Sequence, residues 1–296
     1  MHIFVTGATG FIGGSIAHAL VGHGYRVSGL TRSADKAEAL KARGIEPVVG
    51  TLDDAAILTA AAQAADGVIH AADADHDASV DILIEALAGS GKLLIHTSGS
   101  SIVADDAAGA HAGQRFSEDT PFTPMPDRAP RVAMNRRVRE AGIDRAIRSI
   151  VICPSMIYGE GRGLQTDSDQ LPKLTAPSRQ SGAGLYLGAG LNRYSNVHID
   201  DLVDLYLLAI NKAPAASFFF AENGEMAFGD IATHIARIIG RDGVTHSLDV
   251  EEVTANYGLA ARYGLASNSR VIGANARRLG WTPGRPSLTD WFASQG

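Results

Sequence analysis

The stretch that decides the fold is residues 1–14, Met1-His2-Ile3-Phe4-Val5-Thr6-Gly7-Ala8-Thr9-Gly10-Phe11-Ile12-Gly13-Gly14. Ile3 to Val5 is a short apolar run, and Gly7, Gly10 and Gly13 follow it in the pattern G-x-x-G-x-x-G. Ile12, Ile16, Ala19, Leu20 and His23 then recur at helical spacing on one face, and Gly22 and Gly24 end the run. The order predicts a strand, a tight turn and a helix. Such a turn needs residues without a Cβ so that an anion can approach the backbone, and the helix start offers it free N–H groups and a favourable dipole. Thr6 and Thr9 can brace the loop with their hydroxyls, with Phe11 and Ile12 packing beneath it. The context predicts a site for the pyrophosphate of a dinucleotide.

Working outward, Val27 to Leu30, Pro47 to Val49, Val68 to Ala71, Lys92 to His96 and Ser149 to Cys153 are further apolar runs, separated by segments of helical period. This alternation predicts an α/β fold, a doubly wound parallel sheet of Rossmann type over residues 1–160. From about Tyr158 the pattern loosens, and glycine, proline and polar residues fill Gly159 to Gly190. Helical stretches return at Asp200 to Ile210 and Phe228 to Ile239. Residues 161–296 are expected to form a smaller C-terminal substrate-side region, partly interleaved with the Rossmann core because no linker separates the two.

A chain of 296 residues suits one large domain with a satellite. With 45% hydrophobic and 20% charged residues it reads as globular, not disordered or membrane-spanning. A net charge of −6 leaves no basic footprint, so no nucleic acid partner is expected and a small-molecule substrate is. No segment is long and apolar enough for a bilayer, so no membrane association is expected either. The single cysteine, Cys153, sits in an apolar run and reads as a buried strand thiol. With no targeting signal in the opening residues, the expected compartment is the cytoplasm.

The choice of nucleotide is read after the second strand, at Leu30-Thr31-Arg32-Ser33, where no acid occurs before Asp35. A carboxylate there would favour NAD, whereas Arg32 can clamp a 2′-phosphate with two parallel hydrogen bonds, assisted by Ser33 and Lys36. NADP is the expected cofactor.

These residues resemble the extended branch of the short-chain dehydrogenase/reductase superfamily, the NAD(P)-dependent epimerase/dehydratase-like proteins, through nearly the whole chain. Val68-Ile69-His70-Ala71-Ala72 is similar to the signature V-x-H-x-A-A, and His96-Thr97-Ser98-Gly99-Ser100 to the segment that supplies an active-site Ser or Thr. Pro154-Ser155-Met156-Ile157-Tyr158-Gly159 looks like the P-x-x-x-Y-G element, with Cys153 where an arginine usually precedes it. Asn196 to Asp201 matches V-H-V-D-D, and Leu279-Gly280-Trp281-Thr282-Pro283 is similar to L-G-W-x-P. The resemblance implies cofactor contacts at Thr51 and Leu52 by the adenine, at Ala71, Ala72 and Thr97, and at Pro154, Ser155 and Met156 near the nicotinamide. It also implies a homodimer formed through the helices flanking the fifth and sixth strands.

One departure bears on the chemistry. In the family a Tyr-x-x-x-Lys pair protonates the developing alkoxide, but the region where it should fall reads Arg128-Ala129-Pro130-Arg131-Val132-Ala133-Met134-Asn135-Arg136-Arg137, and no tyrosine in the chain is followed four residues later by lysine. Arg136, and Arg137 after it, are candidates to hold ribose hydroxyls or developing negative charge. The proton must come from another source, with Tyr158, Ser98 or Ser100 relaying from water, and His111 as candidates. The expected catalytic set is Ser98, Tyr158 and Arg136. Asp73, Asp75, His76 and Asp77 read as solvated or capping groups, and no metal is expected. His198 with Asp200 and Asp201 reads as a helix start. Tyr158, Leu164, Leu171, Leu185, Tyr186, Leu187 and Tyr194 are expected to line the substrate side.

The expected activity is that of an NADPH-dependent oxidoreductase acting on a carbonyl, imine or related group of a small organic substrate. The alternatives are a nucleotide-sugar-type epimerase or dehydratase, and a non-catalytic NADP-sensing regulator.

Overall fold

A computed structural model describes residues 1–295. The chain alternates β1 (His2–Thr6), α1 (Phe11–Gly22), β2 (Arg26–Thr31), α2 (Ala34–Lys41), β3 (Ile45–Val49), α3 (Ala55–Ala64), β4 (Gly67–His70), α4 (Asp77–Leu87) and β5 (Leu93–Thr97). A short strand, β6 (Phe116–Ser117), precedes α5 (Ala129–Asp144) and β7 (Arg148–Pro154). Then come β8 (Met156–Tyr158), α6 (Gln170–Ser181), β9 (Gly184–Leu187), β10 (Arg193–His198), α7 (Ile199–Lys212) and β11 (Ser217–Ala221). The chain closes with β12 (Glu225–Ala227), α8 (Phe228–Ile238), β13 (Thr245–Leu248), α9 (Val250–Tyr257), α10 (Leu259–Leu265), β14 (Val271–Ile272), α11 (Ala274–Leu279) and α12 (Leu288–Ala293).

Seven strands form one parallel sheet in the order β11-β7-β5-β4-β1-β2-β3. Side chains of β1 alternate between its two faces. Ile3 and Val5 pack with Ile16 and Leu20 of α1 and with Leu202 and Tyr206 of α7, whereas Phe4 packs with Leu58, Leu83 and Val138 of α3, α4 and α5. Burial on both faces explains why the strands read as unbroken apolar runs. The strand order reverses beside β1, and the carboxyl ends of β1 and β4 open the crevice in which such sheets bind ligands. The edge strand β11 is drawn from the second half of the chain, so the two halves share one sheet.

Two local readings differ. His23 is exposed at the C-cap of α1 and takes no part in its buried face. The irregular stretch 159–190 contains α6, which Pro172 and Pro177 disguise; Leu171, Leu174 and Ser178 nevertheless form its buried face. This helix packs with Tyr158, Tyr194, Phe228, Ile231 and Phe292 into a separate small core beyond the sheet.

At α7, His198 is the N-cap, its Nδ1 accepting from Asp200 N at 3.1 Å. Asp201 is buried and accepts from the backbone N–H of Gly284 at 2.9 Å and of Arg285 at 3.2 Å, while Trp281 Nε1 donates to the Asp201 carbonyl at 2.8 Å. The helix-start motif and the L-G-W-x-P motif are thus one structural lock that fastens the C-terminal segment to α7. No helix among the described residues is long and apolar enough to cross a membrane.

Candidate active site

A cleft of about 880 Å³ lies over the carboxyl ends of the parallel strands and runs from the end of β2 past the glycine loop to α6. Gly7 has φ +74°, and a Cβ there would stand 2.6 Å from the Ala71 carbonyl oxygen. Gly13 has no room for a Cβ either, because it would stand 2.4 Å from Gly7 O. Gly10 caps α1 without any side-chain hydrogen bond, and no acid occupies the first turn. Phe11 and Ile12 line the cleft there, so the helix start presents its N–H groups and dipole to the space an anion would fill. The residues fit a dinucleotide pyrophosphate.

At one end, exposed Arg32 and Lys36 face the cleft together with Thr51 and Leu52. Ser33 is directed elsewhere: its hydroxyl caps α2 by accepting from Lys36 N at 3.4 Å. The Thr51 hydroxyl is committed to the Asp54 carboxylate at 2.9 Å, leaving the rest of the residue to shape the wall. Thr9, Ala71, Ala72, Ser98, Pro154, Ser155 and Met156 continue the lining. Thr97 lies behind this wall, buried, its hydroxyl 2.7 Å from Tyr206 Oη. Gly13, Ser33 and Thr97 therefore support the wall without forming its surface.

The expected catalytic set separates. Ser98 lines the cleft and its Oγ accepts from Asn135 Nδ2 at 2.9 Å. Tyr158 does not reach the cleft. It is fully buried in the small core, its hydroxyl donates to Pro286 O at 2.8 Å, and its ring lies edge-on to His198. Burial also pushes its hydroxyl well above the ordinary tyrosine range, against proton donation at neutral pH. Arg136 lies on the outer face of α5 with a side chain 74% exposed, paired to Glu140 at 3.5 Å. The cleft face of α5 is Arg131, with Asn135 one turn further along. Their spacing of four is that of the missing Tyr-x-x-x-Lys pair, which was the available signal.

Arg131 is 13% exposed. Its Nε donates to Asp75 Oδ1 at 2.7 Å, its Nη2 to Asp75 Oδ2, and its Nη1 to Ser101 Oγ at 3.1 Å. The Arg131 hydrogen bonds hold the Asp75 carboxyl below the usual carboxylate range. Nearby, His76 caps α4 by accepting from Ser79 N at 3.2 Å, and Asp77 pairs with Arg137. The acidic loop after β4 thus anchors α5. His111 is exposed and outside the cleft lining.

Beneath the cleft, His70 and His96 stand edge-to-face at 5.5 Å. His70 bridges Thr6 Oγ1 at 3.3 Å and Ser79 Oγ at 2.7 Å, whereas both ring nitrogens of His96 are buried without a partner. Burial lowers His70 to about 4 and His96 to about 3. Cys153 is fully buried in β7, and burial pushes its thiol up to about 12.

The far end of the cleft is more polar than expected. Gln165, Ser168, Asp169 and Gln170 line it, with Tyr194 the one expected member present. Leu164 packs on the main core, Leu171 and Tyr186 on the small core, and Leu185 and Leu187 lie on β9 paired with β13. Packing of the two cores and of the β9–β13 pair thus claims these apolar groups.

Residues 3–218 match the model of the NAD dependent epimerase/dehydratase family. The chain belongs to this family. It is an enzyme of short-chain dehydrogenase/reductase type. The oxidase ucsJ of Acremonium sp is 34% identical, covering 97% of this chain and 94% of its own. The 2-alkyl-3-oxoalkanoate reductase of Stenotrophomonas maltophilia is 28% identical, covering 100% and 89%. The fold is similar to that of UDP-glucose 4-epimerase from Thermotoga maritima, with a TM-score of 0.78 at 19% identity over 99% of this chain and 96% of that one.

Because the Tyr158 hydroxyl donates to Pro286 O away from the cleft, Tyr158→Phe is expected to lower stability by about 1 kcal/mol, through that lost hydrogen bond, and to leave turnover within two-fold. A large fall in kcat at unchanged stability would return the phenol to the chemistry.

Proposed function

We propose that this protein is an NADPH-dependent reductase of a carbonyl, imine or related group in a small organic substrate. The observation that carries this reading is the continuity of one cleft: a phosphate-binding helix start with Arg32 and Lys36 at one end, and Ser98 beside Pro154, Ser155 and Met156 at the other. The start of α1 binds the pyrophosphate. Arg32, with its planar fork, and Lys36 hold the 2′-phosphate, and no carboxylate at the end of β2 competes for the ribose. When bound, the reduced nicotinamide supplies a hydride. Ser98 faces the substrate with its hydroxyl oriented by Asn135, and Gln165, Ser168 and Gln170 offer hydrogen bonds to the polar part of the substrate. The reductase name of one relative supports the direction of the chemistry.

The test is a fluorescence titration with NADPH and NADH, followed by a panel of ketones, aldehydes and imines monitored by absorbance of the reduced cofactor. Tighter binding of NADPH with turnover of a panel member is expected. Binding without turnover would favour a sensing role, and no binding would overturn the reading. Arg32→Ala is expected to raise the NADPH dissociation constant about 30-fold, the loss of about 2 kcal/mol of charge-assisted hydrogen bonding, and to leave NADH binding within three-fold. Equal NADPH affinity in variant and parent would remove Arg32 from the phosphate site.

A further inference from the structure

We propose that Arg131 is a catalytic residue which, with Ser98, holds the oxygen of the group being reduced, in place of the superfamily's tyrosine, and that the proton of the product is drawn from solvent. The inference rests on the reductase reading and assigns its oxyanion-stabilising groups.

The geometry comes from α5. Arg131 and Asn135, four apart, share one helix face, and both are directed at the segment that follows β5. Asn135 is buried, and its amide donates to Ser98 Oγ, so the serine O–H can turn from the weak acceptor Cys153 Sγ to a ligand in the cleft that Ser98 lines. A guanidinium has five N–H groups. Asp75 and Ser101 engage three of them on Arg131, so two remain for a ligand. The guanidinium also lies against Gly99, whose Cβ position would be 3.4 Å from Nη1. Arg131, against Gly99 and Ser101, and Ser98 thus stand on one stretch of the cleft wall, and Ser98 N donates to Ile152 O at 2.8 Å near the end of β7, just before Pro154. Two preorganised donors at the site where negative charge develops are the elements of an oxyanion hole. Asp75 is a positioning residue, because it fixes the plane of the guanidinium through two hydrogen bonds.

The step balances with no protein acid consumed, because Ser98 only relays a proton. The hydride, given up by the reduced nicotinamide as that cofactor is oxidised, adds to the carbonyl carbon, the C–O π pair moves to oxygen, and Arg131 N–H and Ser98 O–H hydrogen-bond to the resulting alkoxide. The alkoxide takes a proton from Ser98 Oγ, and a cleft water returns one to Ser98, so each turnover consumes one proton from solvent. Arg131 stays protonated throughout.

The consequence is a rate without the titration of a catalytic tyrosine. The charged and titratable groups around Arg131 are Asp73 and Asp75 after β4, His96 of β5 and Cys153 of β7, and Arg128 of its own segment acts on Asp75. His96, lowered to about 3, and Cys153, raised to about 12, keep their neutral forms between pH 6 and pH 9, and Asp75 is held ionised by Arg131.

The experiment uses NADPH and the α-diketone 9,10-phenanthrenequinone as probe, with kcat, KM and the NADPH dissociation constant measured from pH 6 to pH 9. The parent is expected to give a flat kcat/KM profile. Arg131→Met is expected to lower kcat by about 10²- to 10³-fold, the scale of removing one oxyanion-hole donor, with the NADPH dissociation constant within three-fold. Arg131→Lys keeps the charge beside Asp75 without the planar fork, and is expected to lose about ten-fold in kcat; this variant decides the question should Arg131→Met fail to fold. The double substitution Arg131→Tyr with Asn135→Lys is expected to introduce a pH-dependent limb. A parent that binds NADPH and reduces nothing overturns the reductase reading and this assignment with it. An active parent whose Arg131→Lys and Arg131→Met variants both keep kcat within two-fold overturns the assignment alone.

Discussion

Gly13→Ala is expected to weaken NADPH binding about 100-fold and to lower the melting midpoint by several degrees. The added Cβ would stand 2.4 Å from Gly7 O and 2.7 Å from Gly7 C, and both are backbone atoms, so no side-chain rotation relieves the contact. Gly7 cannot retreat, because it sits at φ +74° with the Ala71 carbonyl 2.6 Å from its own Cβ position, and its oxygen already accepts from Gly10 N at 2.9 Å. Either the loop or the start of α1 must shift by about 1 Å, and overpacking of this kind costs about 1–3 kcal/mol. The shift would misdirect the N–H groups on which the pyrophosphate depends. Fluorescence titration and thermal unfolding check both effects. Gly22→Ala is the control, since nothing lies within 4 Å of that Cβ position. An NADPH dissociation constant within three-fold of the parent would show that the pyrophosphate does not sit on this loop.

The second large effect expected is acid destabilisation beginning near pH 6.5, well above the carboxylate range. An unfolded chain protonates both imidazoles near pH 6.5, whereas burial keeps His70 neutral to about 4 and His96 to about 3 in the native state. Between these limits the unfolded state binds up to two more protons, so stability falls as pH falls, by as much as about 2.7 kcal/mol per pH unit. Burial lowers His198 and His234 as well, and they add to the loss with the same sign. Urea unfolding at pH 7 and pH 5 measures the slope. His96→Leu removes two buried nitrogens that have no partner, and is expected to reduce the slope by about one proton. An unfolding free energy that does not change over this interval would show that these rings protonate freely in the native state.

What could be read in advance follows the range of the interactions. The central strands were legible because burial on both faces demands apolar runs, as at Ile3 to Val5 and Ser149 to Cys153. The glycine loop was legible because its constraints act over seven residues: a positive φ at Gly7 and the close approach of Gly13 to Gly7. Helix α6 was hidden by Pro172 and Pro177, whose local propensity is overridden by the burial of Leu171 and Leu174 in the smaller lobe. Tyr158 carried a motif that suggested chemistry, yet its hydroxyl is claimed by Pro286, 128 positions away.

The sequence by itself determined the parallel sheet, the nucleotide-binding turn, the arginine after β2 and the loss of the tyrosine and lysine, because each depends on neighbours close along the chain or on residue type alone. Only the tertiary structure decided which side chains share the cleft. It turned Arg136 out to solvent and Arg131 inward, joined Asn135 to Ser98, and spent Asp75 on fixing a guanidinium 56 positions away. The physical reason is that a helix places residues one position apart about 100° apart around its axis. Which face of α5 meets the cleft is set by how that helix packs on the sheet, through contacts that local pattern does not contain.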